Sequence, residues 1–263
     1  MLLTDLLKKI VGMNYGSVRK KIVLFLRREL KTSGKDGYTF GLSGGLDSAV
    51  VAALATEAIR DKVTGLIMPN YKITPATDVS DAVGLAEQLK IRFNVIDVTD
   101  IHSNMLAKLP TNKTASGNLL ARIRMCLLYY HANQSNSLVI GTSDKSELLI
   151  GYFTKYGDGA ADMLPIASLY KTQVRALGNY LKLPNTILTK KSSPMLWEHH
   201  IATDELGMSY EEIDSILYCL IDHKLTVKAT TKKLGIEFSK VAKISDMSAR
   251  SMHKRSLPKI CKL

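Results

Sequence analysis

Apolar positions along the chain alternate between two spacings. Over 17–31, SVRKKIVLFLRRELK, the residues Val18, Ile22, Phe25, Leu26 and Leu30 recur at mixed three- and four-residue steps, which predicts an amphipathic helix before the glycine-containing turn at 33–37. The run YTFGL at 38–42 then reads as a short apolar strand. After SGGLDS the pattern gives a helix to about residue 60, a strand in VTGLIM, a helix over about 75–90 and a strand in IRFNVIDV. A helix over about 116–133 leads into the strand SLVIG at 137–141, and after a loop rich in Gly and Asp another helix covers about 171–181. Past Pro194 the pattern changes: 209–221, 224–234 and 238–251 read as three short helices. The whole predicts an α/β fold, a doubly wound parallel sheet over 1–195 with a small helical C-terminal appendage over 196–263, in one domain without repeats or low-complexity tracts. In that architecture ligands sit outside the carboxyl ends of the strands, which places the site near Ser43.

Composition narrows the class. The chain has 263 residues, 46% apolar and 23% charged, with mean hydropathy near zero, the profile of a globular protein with a sizeable core. No run approaches the roughly 18 apolar residues of a membrane span, and MLLTDLLKKI does not read as a signal peptide, so a cytoplasmic location is expected. Cys126, Cys219 and Cys261 are odd in number and in no CxxC spacing, which points away from a disulfide framework and from a zinc site. The net charge of +12 has two readings: a nucleic-acid surface, or a solvated surface on a protein that handles polyphosphates. The basic residues have no aromatic residues interleaved as stacking platforms, so no nucleic-acid partner is expected.

Candidate chemistry begins at Gly41-Leu42-Ser43-Gly44-Gly45-Leu46-Asp47-Ser48, which follows a strand and opens a helix. Its glycines let the backbone approach a ligand closely, and free amides at the helix start suit a phosphate. A tight turn capped by Ser43 would explain the loop alone. No lysine follows the glycines and Gly44 and Gly45 are adjacent, so neither GxxxxGK[ST] nor GxGxxG is matched. Asp47 beside a phosphate would be repulsive without a divalent cation between them, which makes it a candidate Mg2+ ligand. A second polar cluster, GTSDKSELLIGYFTKYGDGAAD at 141–162, carries Thr142, Asp144, Glu147, Lys155, Asp158 and Asp162.

The loop resembles the SGGxDS pyrophosphate loop of the ATP pyrophosphatases, and the second cluster resembles the signature of the ammonia-dependent NAD synthetases within that superfamily. PIASLYKTQV at 165–174 and GNLLARIRM at 117–125 extend the likeness over about 20–255. The resemblance implies an adenine nucleotide α-hydrolase-like fold and an AMP-forming ligase that amidates deamido-NAD to NAD with ATP and ammonia. It implies that Gly41, Leu42, Ser43, Gly44, Gly45, Leu46, Asp47 and Ser48 bind ATP with Thr142, Lys171 and Ser193, and that Asp47 and Glu147 hold Mg2+. It further implies deamido-NAD contacts at Arg122, Lys155, Asp162, His253 and Lys254, a supporting charge at Lys171, ammonia oriented by Asp158 or Asp162, and a homodimer. Glutamine-using relatives carry a separate amidohydrolase domain for which 263 residues leave no room, so free ammonia is the expected donor.

This sequence departs from the family pattern at Glu198-His199-His200, where relatives tend to carry a Gln-containing loop; adjacent histidines diverge and no third ligand is evident, so an exposed loop is expected there. Rival readings are a tRNA thiolase or lysidine-type ligase, and a passive nucleotide binder such as a universal stress protein or electron-transfer flavoprotein. Neither a paired thiol system nor an RNA-binding appendage is evident, and a passive binder needs no pair of metal-holding carboxylates.

Overall fold

A computed structural model of the chain describes residues 3–261. Four parallel strands, β1 (Gly37–Gly41), β2 (Val63–Ile67), β3 (Arg92–Val95) and β4 (Ser137–Val139), lie in the order β3-β2-β1-β4. Tyr38 pairs with Val63 on one side of β1 and with Leu138 on the other. The chain thus winds outward from β1 to β3 and returns to lay β4 on the opposite flank of β1. The carboxyl ends of β1 and β4 flank the topological switch point, where their following loops diverge and open a crevice.

Side-chain alternation sorts the helices between the two faces. Tyr38, Phe40 and Leu42 from β1, with Val63 and Ile67 from β2, enter a core shared with α2 (Tyr15–Ser33), α3 (Leu46–Ile59), α4 (Ala76–Leu89) and α8 (Lys171–Tyr180). Leu66 points the other way, against Leu120 and Ile123 of α6 (Lys113–Gln134). On that second face Thr39 and Ser137 share a hydrogen bond of 2.6 Å across β1 and β4. α3 is apolar on every side because it is covered on every side: Ala49, Val50, Val51, Ala52, Leu54 and Ala55 are all fully buried. Each such Leu or Val contributes about 1.5–3 kcal/mol by leaving water.

The predicted elements are present with shifted ends. The helix read over 17–31 is α2, begun earlier, at Tyr15, because the Asn14 side chain accepts from Ser17 N, and ended at Gly34, whose φ is 67°. The strand read at 91–98 pairs only through β3; beyond it Ile96 N and Val98 N still donate to Ile67 O and Pro69 O, but without regular register. Of the C-terminal segments, 209–221 is α11 (Tyr210–Leu217) followed by a wider turn, 224–234 contains α12 (Val227–Leu234), and 238–251 is α13 (Phe238–Arg250). The spacing analysis did not single out α1 (Leu3–Val11), α5 (Thr99–Leu106), α7 (Lys145–Ile150) or the single turns α9 (Asn185–Leu188) and α10 (Ala202–Leu206). α5 and α7 span two turns or fewer, too short for a periodic signal to separate from a polar loop.

The helical end of the molecule draws on both chain ends. Leu6 and Ile10 of α1 share a core with Leu206, Ile213, Ile216, Val241 and Ile244, and with Ile150 and Tyr170 from around α7 and α8. Asp214 of α11 ties this end to the sheet region: it accepts from Ser146 Oγ at 2.5 Å and from Thr172 N at 2.8 Å. Burial pushes its carboxyl up to about 6 while those bonds resist the rise. Among the described residues no helix is long and apolar enough to cross a membrane.

Replacing Asp214 with Ala should lower unfolding stability by about 1–3 kcal/mol, because the buried Thr172 amide and Ser146 hydroxyl lose their acceptor. Urea unfolding followed by far-UV circular dichroism measures it.

Candidate active site

A cavity of about 250 Å³ opens at the switch point. The bend that follows β1 forms its floor. Gly44 takes φ 75°, and a Cβ there would stand 2.2 Å from the Asp78 carbonyl oxygen, so no larger residue allows this approach to α4. Lys190 locks the same contact, its Nζ donating to Gly44 O at 3.1 Å, to Asp78 Oδ1 at 2.6 Å and to Asp81 Oδ2 at 2.6 Å. α3 starts on Gly45 with no side chain capping its first turn. Its free amides are therefore available to an anion in the cavity.

The acidic wall comes from three helix starts. Asp47 lies in the first turn of α3. Asp144 caps α7, accepting from Glu147 N at 2.8 Å, and Glu147 Oε2 returns to Asp144 N at 3.4 Å. Lys171 is the first residue of α8, and its fully buried ammonium lies 2.7 Å from Asp47 Oδ2, 2.8 Å from Glu147 Oε1 and 3.0 Å from Asp144 Oδ2. Burial alone would lower the Lys171 pKa, yet Asp144, Asp47 and Glu147 together hold it well above its ordinary value. Burial pushes Asp144 up to about 7 against the pull of Lys171, and pushes Glu147 up strongly. Three carboxyl groups crowd one ammonium, so repulsion among them adds to burial in raising Asp144 and Glu147, and Asp47 Oδ1 is buried with no hydrogen-bond partner.

The structure brings most of the expected nucleotide residues onto one cavity: Gly41, Leu42, Ser43, Gly45, Leu46, Asp47, Ser48, Thr142, Glu147, Asp158 and Ser193 line it. Gly44 faces α4 instead, and Lys171 stands behind Asp47 and Glu147 with no exposed surface. The expected dinucleotide residues lie outside the lining. Arg122 is exposed and donates to Lys155 O at 3.3 Å, and Lys155 Nζ lies 5.1 Å from the Tyr156 ring. Asp162 accepts from Val139 N at 2.7 Å and from the Tyr129 hydroxyl at 3.3 Å. His253 is exposed, while Lys254 Nζ donates to Gly151 O at 2.7 Å and Phe153 O at 2.9 Å, closing the end of α7.

Four further residues of the site went unassigned in the sequence. Asp144 is legible there as the first residue of an Asp-x-x-Glu capping box. Lys190 carries no sequence signal, since its carboxylate partners are 112 and 109 positions away. Arg124 lines the cavity and donates from Nε to Met68 O at 3.1 Å, while packing lowers its guanidinium to about 10 against the pull of Asp158. Tyr152 lines the cavity from just beyond α7.

An open parallel sheet with its cavity at the switch point, floored by a glycine bend and walled by carboxylates, defines an α/β protein of the adenine nucleotide α-hydrolase-like class. The model of the NAD synthase family matches residues 18–258, and the chain belongs to that family. It is 46% identical over 255 residues to the NH3-dependent NAD+ synthetase of Hyperthermus butylicus, covering 96% of this chain and 92% of that one. Among solved structures it is similar to NMN synthetase from Francisella tularensis, at 36% identity and a TM-score of 0.85 over 95% of this chain and 100% of that one. It is also similar to NH3-dependent NAD synthetase from Campylobacter jejuni in complex with the nitrate ion, at 33% identity and a TM-score of 0.82 over the same shares.

Lys171→Met should cost about 3–5 kcal/mol of stability, because it strands the buried Asp144 and the partly buried Asp47 and Glu147 without their cation. The midpoint of denaturant unfolding, compared with that of the parent chain, reads the loss.

Proposed function

We propose that the chain makes NAD from deamido-NAD, ATP and ammonia through an acyl-adenylate, releasing AMP and pyrophosphate. The observation that carries this reading is the uncapped start of α3 with the Asp47 and Glu147 carboxyl groups beside it on one cavity at the switch point. Family membership and the names of the relatives support it.

The phosphates of ATP lie over the bend at 41–48, where first-turn amides of α3 receive their oxygens. A carboxylate oxygen of the nicotinate ring attacks the α-phosphorus, and the bond to the bridging oxygen breaks as pyrophosphate leaves. The attacking group is already ionised at neutral pH, so this step needs no protein base. Positioning and charge stabilisation are the protein's contribution. Ammonia then attacks the acyl carbon, AMP leaves with the shared oxygen, and a proton is lost from nitrogen. Asp158, which lines the cavity while its Oδ1 accepts from Thr154 N at 2.8 Å, accepts that proton; Asp162 lies outside the lining.

The donor set fits a magnesium ion. Asp47 and Glu147 present hard oxygen ligands, the cluster sets three carboxyl groups against one ammonium, and Asp47 Oδ1 has no hydrogen-bond partner. Among the described residues no three acidic, His or Cys side chains form a ready cage, consistent with an ion that is completed by substrate phosphates. When bound, the ion offsets charge on the phosphate oxygens. Lys171 keeps Asp47 and Glu147 in place from behind, and in this structure it is a positioning residue.

The likeness to NMN synthetase favours a second reading, in which the mononucleotide counterpart of deamido-NAD is amidated instead. We also propose a homodimer; Leu24 of α2 and Tyr130 of α6 are exposed at 51% and 65% and offer apolar contact. Sedimentation at micromolar protein should show twice the monomer mass.

Mass spectrometry of ATP, magnesium, ammonium and deamido-NAD with the protein should show NAD and AMP rising together. ADP in place of AMP overturns the mechanism. Equal turnover with glutamine as the sole nitrogen source overturns the choice of ammonia, and faster turnover of nicotinate mononucleotide establishes the second reading. Asp47→Asn and Glu147→Gln should each reduce AMP formation about 100-fold or more, the scale of losing one charge-stabilising group, with unfolding midpoints lowered less than in Lys171→Met because two acids still face the ammonium.

A further inference from the structure

The run Trp197-Glu198-His199-His200 belongs to a strap without regular structure between α9 and α10. Ser192, Ser193, Met195 and Leu196 of this strap form one wall of the cavity. Its ends close on each other: Ala202 N donates to Ser192 O at 3.0 Å, and the Ser193 hydroxyl donates to the His200 carbonyl. Such closure makes a compact loop packed by its own side chains. Its outer part rests on the first turns of α6, where a Cβ at Gly117 would stand only 2.7 Å from Leu196 Cβ.

His200 is the internal pin. Its ring is 4% exposed and lies flat on Trp197, with centroids 3.5 Å apart and planes 12° apart. Lys113 Nζ lies 4.6 Å from the Trp197 ring. Nε2 is 2.7 Å from Glu205 Oε2 and 3.1 Å from the Tyr152 hydroxyl, which donates to the same carboxylate oxygen at 2.6 Å. An ionised carboxylate only accepts, so Nε2 carries the hydrogen. Nδ1 is buried with no partner. A bare lone pair there costs far less than an unpaired charge, so the ring is neutral. The exposed loop expected for these histidines holds for His199 and fails for His200, because the strap folds the second ring inward.

We infer that His200 is a positioning residue for the nucleotide: it sets the strap so that Ser193 meets ATP with an acceptor of fixed direction. The Ser193 hydroxyl gives its hydrogen to the His200 carbonyl and receives Met195 N at 3.1 Å, which leaves one lone pair for a donor on the ligand. The ring anchors the same residue to Tyr152, which shares the cavity with Glu147. The inference rests on the reading of this cavity as an ATP site.

Trp197 is the single tryptophan of the chain, so its emission reports the strap directly. In the parent protein that emission should change as ATP with magnesium saturates. His200→Ala should raise the KM for ATP about tenfold and leave kcat within about threefold, the signature of lost binding rather than lost chemistry. Its emission titration should move to higher ATP by the same factor. His200→Gln keeps an N–H donor within reach of Glu205 and should recover most of the affinity. Glu205→Ala removes the outer partner at a side chain 48% exposed, should fold normally, and should weaken ATP in the same direction. If His200→Ala does not fold, Glu205→Ala decides alone. An unchanged ATP KM in the folded variants, or a fall in kcat without a change in KM, overturns the inference. A parent protein whose Trp197 emission ignores ATP and that forms no AMP overturns the ATP-site reading itself.

Discussion

A single buried ammonium organises the active end of this molecule. Lys171 stands at the first position of α8, the positive end of a helix, where a cation is electrostatically misplaced. Removing such a charge from water costs several kcal/mol that only close, well-oriented partners offset. Asp47, Asp144 and Glu147 supply them, and each comes from the start of α3 or α7, the place where a carboxylate is favoured. Three helix starts therefore converge because their charges require it. Asp47, which lines the cavity, keeps Oδ1 without a partner, so the contact that draws the helices together also prepares the site for a cation.

The bend after β1 depends on the same logic of close approach. Gly44 sits against the Asp78 carbonyl, and Lys190 binds both sides of that seam. Since no side chain caps α3, its first amides remain available to a ligand. The sheet order opens the crevice there, because at the switch point the flanking connections part.

Support comes from behind, through the helical end. Asp214 holds Ser146, which lies between Asp144 and Glu147, and Thr172, which follows Lys171; Ser146 Oγ also receives Lys171 N at 2.9 Å. Lys254 and Arg255 donate to carbonyls at the end of α7, including Leu148 O at 2.8 Å from Arg255. The C-terminal basic residues that the family likeness assigns to the dinucleotide thus hold α7, and through it Glu147, from the opposite end in this structure.

By itself the sequence determined the alternation of strands and helices, the parallel sheet and the bend at 41–48, because each is written in local spacing or in a contiguous motif. α1, α5 and α7 escaped the spacing analysis, as did the extent of β3, since short or edge elements take their definition from neighbours. Only the tertiary structure decided that Lys171 lies behind the carboxylates, that Lys190 braces Gly44, that Arg124 rather than Arg122 lines the cavity, and that His200 is turned inward. Each of these depends on partners brought together from distant parts of the chain or on which face of a helix is covered. Charge and burial at such a point are properties of the assembled fold, and no local pattern carries them.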